Sequence, residues 1–360
     1  MSFFIGMIVN AILLSIPIGA SLGTMIAIKP FRNERVKPPV EQNAIFETTY
    51  CDSSHEFHQF AQNKNGVNYT IHTSRSLNIP PFGRTANKRF PVNSNEFLTA
   101  IESTLCLTVT QNQNNTYTSN DTAPDFFITW EYPFTPANVS SPPNETKPLA
   151  HAFPQATLQD TALPITLLDL GALELVFSWT MGIGDEAAPS TSVRRLESQA
   201  VNATVALDLF LDADPVIAGQ GGKAAFEMLI LFASYGLQDP IGFGNGSNTI
   251  AAHTTAAGND FDLYAGKNDN LQNVFTWVAS DPNGITDFNG DISPLFNVVL
   301  NLASTAKNFA ELDVTLPIFG DYLGYVGFGS QTYSSIGHVT FAVPKLGIDL
   351  QPFANPNAPV

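Results

Sequence analysis

Residues 201–236, VNATVALDLFLDADPVIAGQGGKAAFEMLILFASYG, decide how the chain is read. Two runs in it, Ala203 to Leu211 and Ala225 to Phe232, are built from the aliphatic and aromatic residues that suit a pleated, half-buried surface. The glycines between them, Gly219, Gly221 and Gly222, read as a hairpin turn. Each run is interrupted by a carboxylate. Strand side chains alternate faces, so Asp208 shares its face with Thr204, Ala206 and Phe210, and Glu227 shares one with Ala225, Leu229 and Leu231. An ionised carboxylate among such neighbours is costly unless it is paired or used. Asp208 and Glu227 are therefore either solvated or protonated structural groups, or a working pair.

Outward from this stretch the signals stay β. Thr70 to Ser74, Cys106 to Gln111, Phe126 to Tyr132, Val274 to Ala279, Tyr322 to Phe328 and His338 to Val343 are short Val, Ile, Thr, Tyr and Phe runs separated by Gly, Pro, Asn and Asp. Many short strands in this spacing predict an all-β sandwich or jelly roll of two antiparallel sheets. One stretch departs from the pattern. In Ser293 to Ser304, SPLFNVVLNLAS, the residues Phe296, Val299, Leu300 and Leu302 recur at helical spacing, which predicts the one main helix. Segments 136–148 and 184–197 are polar and Pro- or Ser-containing and read as exposed insertions. No internal repeat and no second folded domain is evident; residues 45–352 read as the domain and 353–360 as a tail.

The N-terminal run from Phe3 to Ile28 has no charged residue, long enough for a signal sequence or a membrane anchor. Residues 29–44, KPFRNERVKPPVEQNA, read as a linker. Its Lys29, Arg32, Arg35 and Lys37 would favour a cytoplasmic position for the downstream chain. Seven Asn-x-Ser/Thr sequons, at Asn68, Asn114, Asn120, Asn138, Asn144, Asn202 and Asn245, point instead to the secretory pathway. Secretion is the expectation, with membrane anchoring through residues 3–28 as the alternative. The two cysteines, Cys51 and Cys106, allow a single intramolecular bridge.

Charged residues make up only 13% of the chain, 16 basic against 32 acidic, for a formal charge of −16. Such a field disfavours nucleic acid, anionic membranes and polyanionic carbohydrate, but not a neutral glucan. Other chemistries lack their motifs. The glycines at 219–222 do not open a helix as a dinucleotide loop would. Asp281-Pro-Asn-Gly and Asp287-Phe-Asn-Gly-Asp fail the calcium-loop spacing. His55 and His58 beside Cys51 lack a second ligand cluster for zinc. No nucleophile elbow of the Gly-x-Ser-x-Gly type occurs. Trp130, Trp179 and Trp277 suit either core packing or a flat platform for a ligand. In Tyr325 to Tyr333, the residues Tyr325, Gly327, Gly329, Gln331 and Tyr333 share one face, and the two glycines leave room for something bulky against it.

Taken in order, these segments resemble glycoside hydrolase family 12, jelly-roll enzymes that cut internal bonds of β-1,4-glucans and xyloglucan. ALDLF resembles the family's A-Y-D-L-F strand, and FEMLILFASYGLQDPIG its Y-E-(I/L)-M-I-W-L-x-x-Y-G-x-x-G-P-I-G segment. YCDSSHEF, STLCLTV, SWTMG, LYAGKNDNLQNVFTWVAS, FNGDISPLFNVVL and YLGYVGFGSQTYSSIGHVTF extend the match over roughly residues 45 to 352. The resemblance implies a metal-free retaining reaction without a cofactor, carried out by a monomer on a neutral β-glucan. It places Glu227 at the nucleophile and Asp208 at the carboxylate that hydrogen-bonds it. A retaining enzyme also needs a second carboxyl group, about 5–5.5 Å from the first, to protonate the leaving oxygen. The family supplies it in F-G-T-E-P-F, and the corresponding run here is Phe328-Gly-Ser-Gln-Thr-Tyr333. Gln331 thus stands where the acid should be, and the resemblance implies that Glu227, Asp208 and Gln331 lie on the concave face of the jelly roll, Gln331 facing Glu227 across an open groove. The family's Trp four residues after the nucleophile is Leu231, and its N-L-W-G platform has no clear counterpart in HTSRSLN. Trp130, Trp179 and Tyr333 are the candidate substrate contacts. The expectation is a glucan-acting enzyme, with a catalytically impaired glucan binder as the alternative.

Overall fold

The computed structural model describes residues 45–51, 56–59, 68–72, 104–112, 122–132, 152–236, 239–243, 250–268, 270–305, 312 and 314–353. The run 1–28, the linker 29–44, the insertion 136–148, His55, the tail beyond Phe353 and the sequons at Asn114, Asn120, Asn138, Asn144 and Asn245 lie outside them. Ile45–Val360 forms one compact unit.

Two β-sheets make up that unit. The six-stranded sheet runs β1 (Ile45–Tyr50), β4 (Thr104–Asn112), β5 (Phe126–Glu131), β16 (Val339–Pro352), β8 (Leu170–Ile183), β14 (Asp287–Asp291). The ten-stranded sheet runs β11 (Ala252–Ala256), β12 (Asn259–Lys267), β13 (Asn273–Ala279), β10 (Phe226–Tyr235), β9 (Asn202–Asp212), β15 (Tyr322–Ser334), β6 (Gln155–Gln159), β3 (Asn68–His72) and β2 (Glu56–Gln59), with β7 (Ile165–Thr166) paired to β15. The sheets depart from the expected antiparallel pattern at one pairing: β10 and β13 are parallel. After β10 the chain builds the β11–β12 hairpin at the sheet edge, and β13 then returns between β12 and β10.

The β8 strand shows why the sheets stack. Leu173, Leu175, Phe177, Trp179 and Met181 are buried on one face while Ala172, Glu174, Val176, Ser178 and Thr180 on the other are only partly covered. Its inward Phe177 packs at 4.8 Å on Phe328 of β15 and at 4.6 Å edge-on to Phe232 of β10. These rings interlock the two sheets, and burying each contributes roughly 1.5–3 kcal/mol. Cys51 and Cys106 form the single disulfide, tying the end of β1 to β4.

The predicted main helix begins at Ser293, but it ends at Leu300 (α3, Ser293–Leu300), where Asn301 leaves helical geometry, and a separate short turn, α4 (Leu302–Thr305), succeeds it. The segment 184–197, expected to be wholly exposed, carries α1 (Val193–Ser198), whose Leu196 is fully buried and anchors it. A further turn of helix, α2 (Pro215–Ala218), occupies the β9–β10 connection and is capped by the Asp214 carboxylate accepting from Val216 N at 2.8 Å. The sequon at Asn202 starts β9 with its side chain buried, so a glycan there is incompatible with this fold. No helix among the described residues is long and apolar enough to cross a membrane.

Candidate active site

Strand register assembles the site. Directly paired residues share a face, and β9 pairs on one side with β10 (Phe210 with Glu227, Asp208 with Leu229, Ala206 with Leu231) and on the other with β15 (Phe210 with Tyr325, Asp208 with Gly327, Ala206 with Gly329, Thr204 with Gln331). Asp208, Glu227 and Gln331 therefore lie on one face. It is the outer face of the ten-stranded sheet, because Leu207, Leu209, Met228, Ile230, Val326 and Phe328 occupy the inner one and fill the core. Ala206, Leu229 and Leu231 form a separate apolar cluster on the outer face, with Val278 of β13 against it.

The open groove expected there is absent. Asp208, Glu227, Gln331 and Tyr333 are all buried, none more than 3% exposed. A cavity of ≈ 20 Å³ remains, lined by Thr204, Leu229, Leu231, Thr276, Gln331, Tyr333 and the segment Asp239 to Ile241. That is about the room one water needs. The threonine hydroxyls of Thr204 and Thr276 have no hydrogen-bond partner among the described residues, which gives the cavity a polar lining beside its leucines. The segment over it is held close by glycine: Gly242 has φ +89, and a Cβ there would collide with the Ala265 backbone.

Burial sets the electrostatics. Glu227 is pushed up to about 8, mainly by burial, against a lowering contribution from Asn268, whose Nδ2 donates to Glu227 Oε2 at 3.5 Å. Asp208 is raised well above the carboxylate range, first by burial and then by the charge of Glu227. Glu227 thus favours its protonated form at neutral pH, and burial biases Asp208 in the same direction. Gln331 is oriented by Tyr333, whose hydroxyl donates to Gln331 Oε1.

Two predicted contacts are not brought to this face. Trp130 and Trp179 sit on β5 and β8 of the other sheet, fully buried in the core. Trp179 donates Nε1–H to Ile285 O at 2.9 Å, and Trp130 stacks on Tyr132 at 5.8 Å. Both are packing residues, because their positions in the alternation of β5 and β8 point inward. The space above Gly327 and Gly329 is also filled, by the Gln155 side chain, the Tyr325 hydroxyl and the Pro154 carbonyl.

Sequence reasoning missed those neighbours. His72 Nε2 meets Thr157 Oγ1 at 3.0 Å, and Thr157 Oγ1 meets the Tyr325 hydroxyl at 3.3 Å, a polar chain leading toward Asp208. The β12–β13 turn was missed as well. Asn268 Oδ1 accepts from Gln272 N at 3.0 Å, and Gln272 Nε2 donates to Gly221 O at 2.7 Å and Ala224 O at 2.6 Å, holding the turn before Glu227. The run Asn268 to Asn273 reads as ordinary loop, and its only signal was the density of amide side chains. Among the described residues no cluster of three or more His, Cys, Asp or Glu could hold a metal ion.

A jelly-roll sandwich with two carboxyl groups on the outer face of its larger sheet places the protein among glycoside hydrolase-like folds. Residues 185–351 match the family model "Glycosyl hydrolase family 12". No curated protein matches it significantly in sequence. Among solved structures, the endoglucanase 3 of Trichoderma harzianum superposes with a TM-score of 0.52 at 18% identity, covering 88% of this chain and 100% of the other. The catalytic domain of Humicola grisea Cel12A, in complex with a thio cellotetraose, gives 0.52 at 19%, covering 84% and 99%. The family 12 xyloglucanase of Bacillus licheniformis gives 0.50 at 12%, covering 84% and 100%. At these identities the likeness is one of fold.

Proposed function

We propose that the protein recognises neutral β-1,4-glucan and that its retaining hydrolytic machinery is only half complete. In this reading Glu227, in the ionised form populated as pH rises through about 8, is the attacking carboxylate, Asp208 tunes it, and Gln331 stands at the acid/base position with Tyr333 beside it. The observation that carries it is the Gln331 carboxamide on the face of Glu227, its oxygen engaged by Tyr333. A carboxamide can hydrogen-bond a glycosidic oxygen but cannot deliver a proton to it, and general acid catalysis is worth typically about 10²–10⁴-fold. Leu231 in place of a flat aromatic and the ≈ 20 Å³ cavity support weak turnover too. Ligand entry requires the segment Asp239 to Ile241 to move aside. We further infer a secretory location, supported by the Cys51–Cys106 bridge; N-terminal sequencing of secreted material starting near residue 20 would agree, and an exclusively cytoplasmic, unprocessed chain would not.

Two measurements test the reading. Gln331→Glu should raise hydrolysis of soluble β-glucan by at least about tenfold, because it restores the proton donor. Unchanged turnover in a folded variant would remove Gln331 from the site. Above about pH 8, where Glu227 is ionised, an aryl β-glucoside whose leaving group needs no proton should give a burst stoichiometric with protein, absent in Glu227→Ala. In that step a Glu227 oxygen bonds to the anomeric carbon while the carbon–oxygen bond to the aglycone breaks, and its electron pair leaves as aryloxide. If no burst occurs while cello-oligosaccharide binding persists, the protein is a binder alone.

A further inference from the structure

The outer face holds one more group with a proton to give. Tyr333 follows Gln331 by two residues on β15, both line the ≈ 20 Å³ cavity, and neither belongs to the core between the sheets. The register with β9 shifts at Tyr333, an irregularity of the kind that re-aims a side chain. Its hydroxyl ends at the Gln331 carboxamide and donates to Oε1. The phenol O–H therefore lies one hydrogen bond from the position the acid would occupy. The motif F-G-T-E-P-F ends on an apolar ring, whereas Phe328-Gly-Ser-Gln-Thr-Tyr333 ends on a phenol. Burial first, then the charge of Glu227, hold this hydroxyl above the ordinary tyrosine range, so the charge at 227 is felt at 333. The other titratable group facing it is Asp239 of the covering segment, while β9 and β13 present the uncharged Thr204 and Thr276 to the same cavity.

We propose that Tyr333 is the proton donor to the departing sugar, in place of the carboxyl that Gln331 lacks; this rests on the reading of Glu227 as the attacking carboxylate. As a Glu227 oxygen bonds to the anomeric carbon, the bond from that carbon to the glycosidic oxygen breaks. That oxygen keeps the electron pair, takes the Tyr333 proton and leaves as a sugar hydroxyl. The phenolate left behind is held by Gln331, whose amide, turned about its last bond, presents Nε2–H to it. Water then gives a proton to the phenolate while its oxygen attacks the anomeric carbon and frees the Glu227 carboxylate. Charge favours this timing. Glu227 loses its charge on forming the ester, so one of the two causes that hold the Tyr333 proton falls away as the proton is needed. The protonation states are compatible as well: Glu227 ionises as pH rises through about 8, where a phenol held above 10.0 keeps its proton.

Two substrates and two backgrounds test this, above about pH 8 where Glu227 is ionised. Tyr333→Phe should lower the rate on soluble β-glucan by at least about tenfold relative to the rate on an aryl β-glucoside whose leaving group needs no proton. Partial unfolding would lower both rates alike, so the ratio reports the proton and not the fold. In the Gln331→Glu chain, which carries its own acid, the same substitution should change that ratio by less than about twofold. The unaltered chain gives a second readout: its β-glucan hydrolysis should rise through about pH 8 and persist to about pH 10. An unchanged ratio in Tyr333→Phe, an equal loss in both backgrounds, or activity that falls away before pH 10 overturns the proposal; a burst that needs Glu227 then leaves the reading of that residue standing. Absence of both burst and hydrolysis removes the reading itself, and the role of Tyr333 with it.

Discussion

Gln331 and Glu227 illustrate how much one side chain decides. The amide at 331 differs from a glutamate by one polar group, yet it puts a group that cannot release a proton where the register would bring a second carboxyl to the face of Asp208 and Glu227. Glu227 carries a second consequence. Its carboxyl sits near 8 in the folded protein against 4.5 in the unfolded chain, so between those values the folded state holds a proton that the unfolded state has released. Its contribution to stability is complete below pH 4.5 and is lost as pH rises through 8. Thermal melts of Glu227→Gln should therefore be flatter between about pH 5 and 9 than those of the parent, with the gain largest at the alkaline end; parallel curves would show that Glu227 is not held protonated. Identity at 208, 227 and 331 was legible because strand periodicity fixes which face each occupies. Burial was not legible, because it depends on which side chains from β6, β13 and the 239–241 segment arrive above them.

At the scale of elements, local pattern and tertiary context divide the work differently. The β9, β10 and β15 strands were readable from their own residues. The β8 strand, 14 residues long, escaped because Gly171, Ala172 and Glu174 dilute its start, although Leu173 to Met181 alternate cleanly. The parallel pairing of β10 with β13 could not be read at all, since register with a distant strand leaves no mark in either segment. The β12–β13 turn is held by amide side chains rather than by turn propensity. Gln272→Ala would leave two carbonyls, the buried Ala224 O and the part-buried Gly221 O, without their donor, and should lower unfolding free energy by about 1–3 kcal/mol in denaturant titrations. A smaller loss would mean that water replaces the amide there.

For the whole molecule, the two sheets are locked by rings from both, and the remaining covalent tie is at the edge. Replacing Cys51 and Cys106 by serine frees β1 from β4 and should cost about 2–4 kcal/mol, read as a lower melting temperature with the core spectrum retained. If stability is unaffected, the edge strand contributes little to the cooperative unit. Trp130 and Trp179 show the limit of reading a chain residue by residue: each is an aromatic in a half-buried pattern, and only the stacking of one sheet on the other determines that its face is the core.

By itself the sequence determined the all-β class and the within-strand neighbours of Asp208 and Glu227, because alternation and residue chemistry are local properties, while the resemblance of the Tyr325–Tyr333 strand put Gln331 at the acid's position. Tertiary structure alone decided that Asp208 and Glu227 share the outer face of the larger sheet, that the groove over them is filled, and that burial pushes both carboxyls toward their protonated forms. Those are properties of which surfaces meet, and they arise from contacts between residues far apart in the chain.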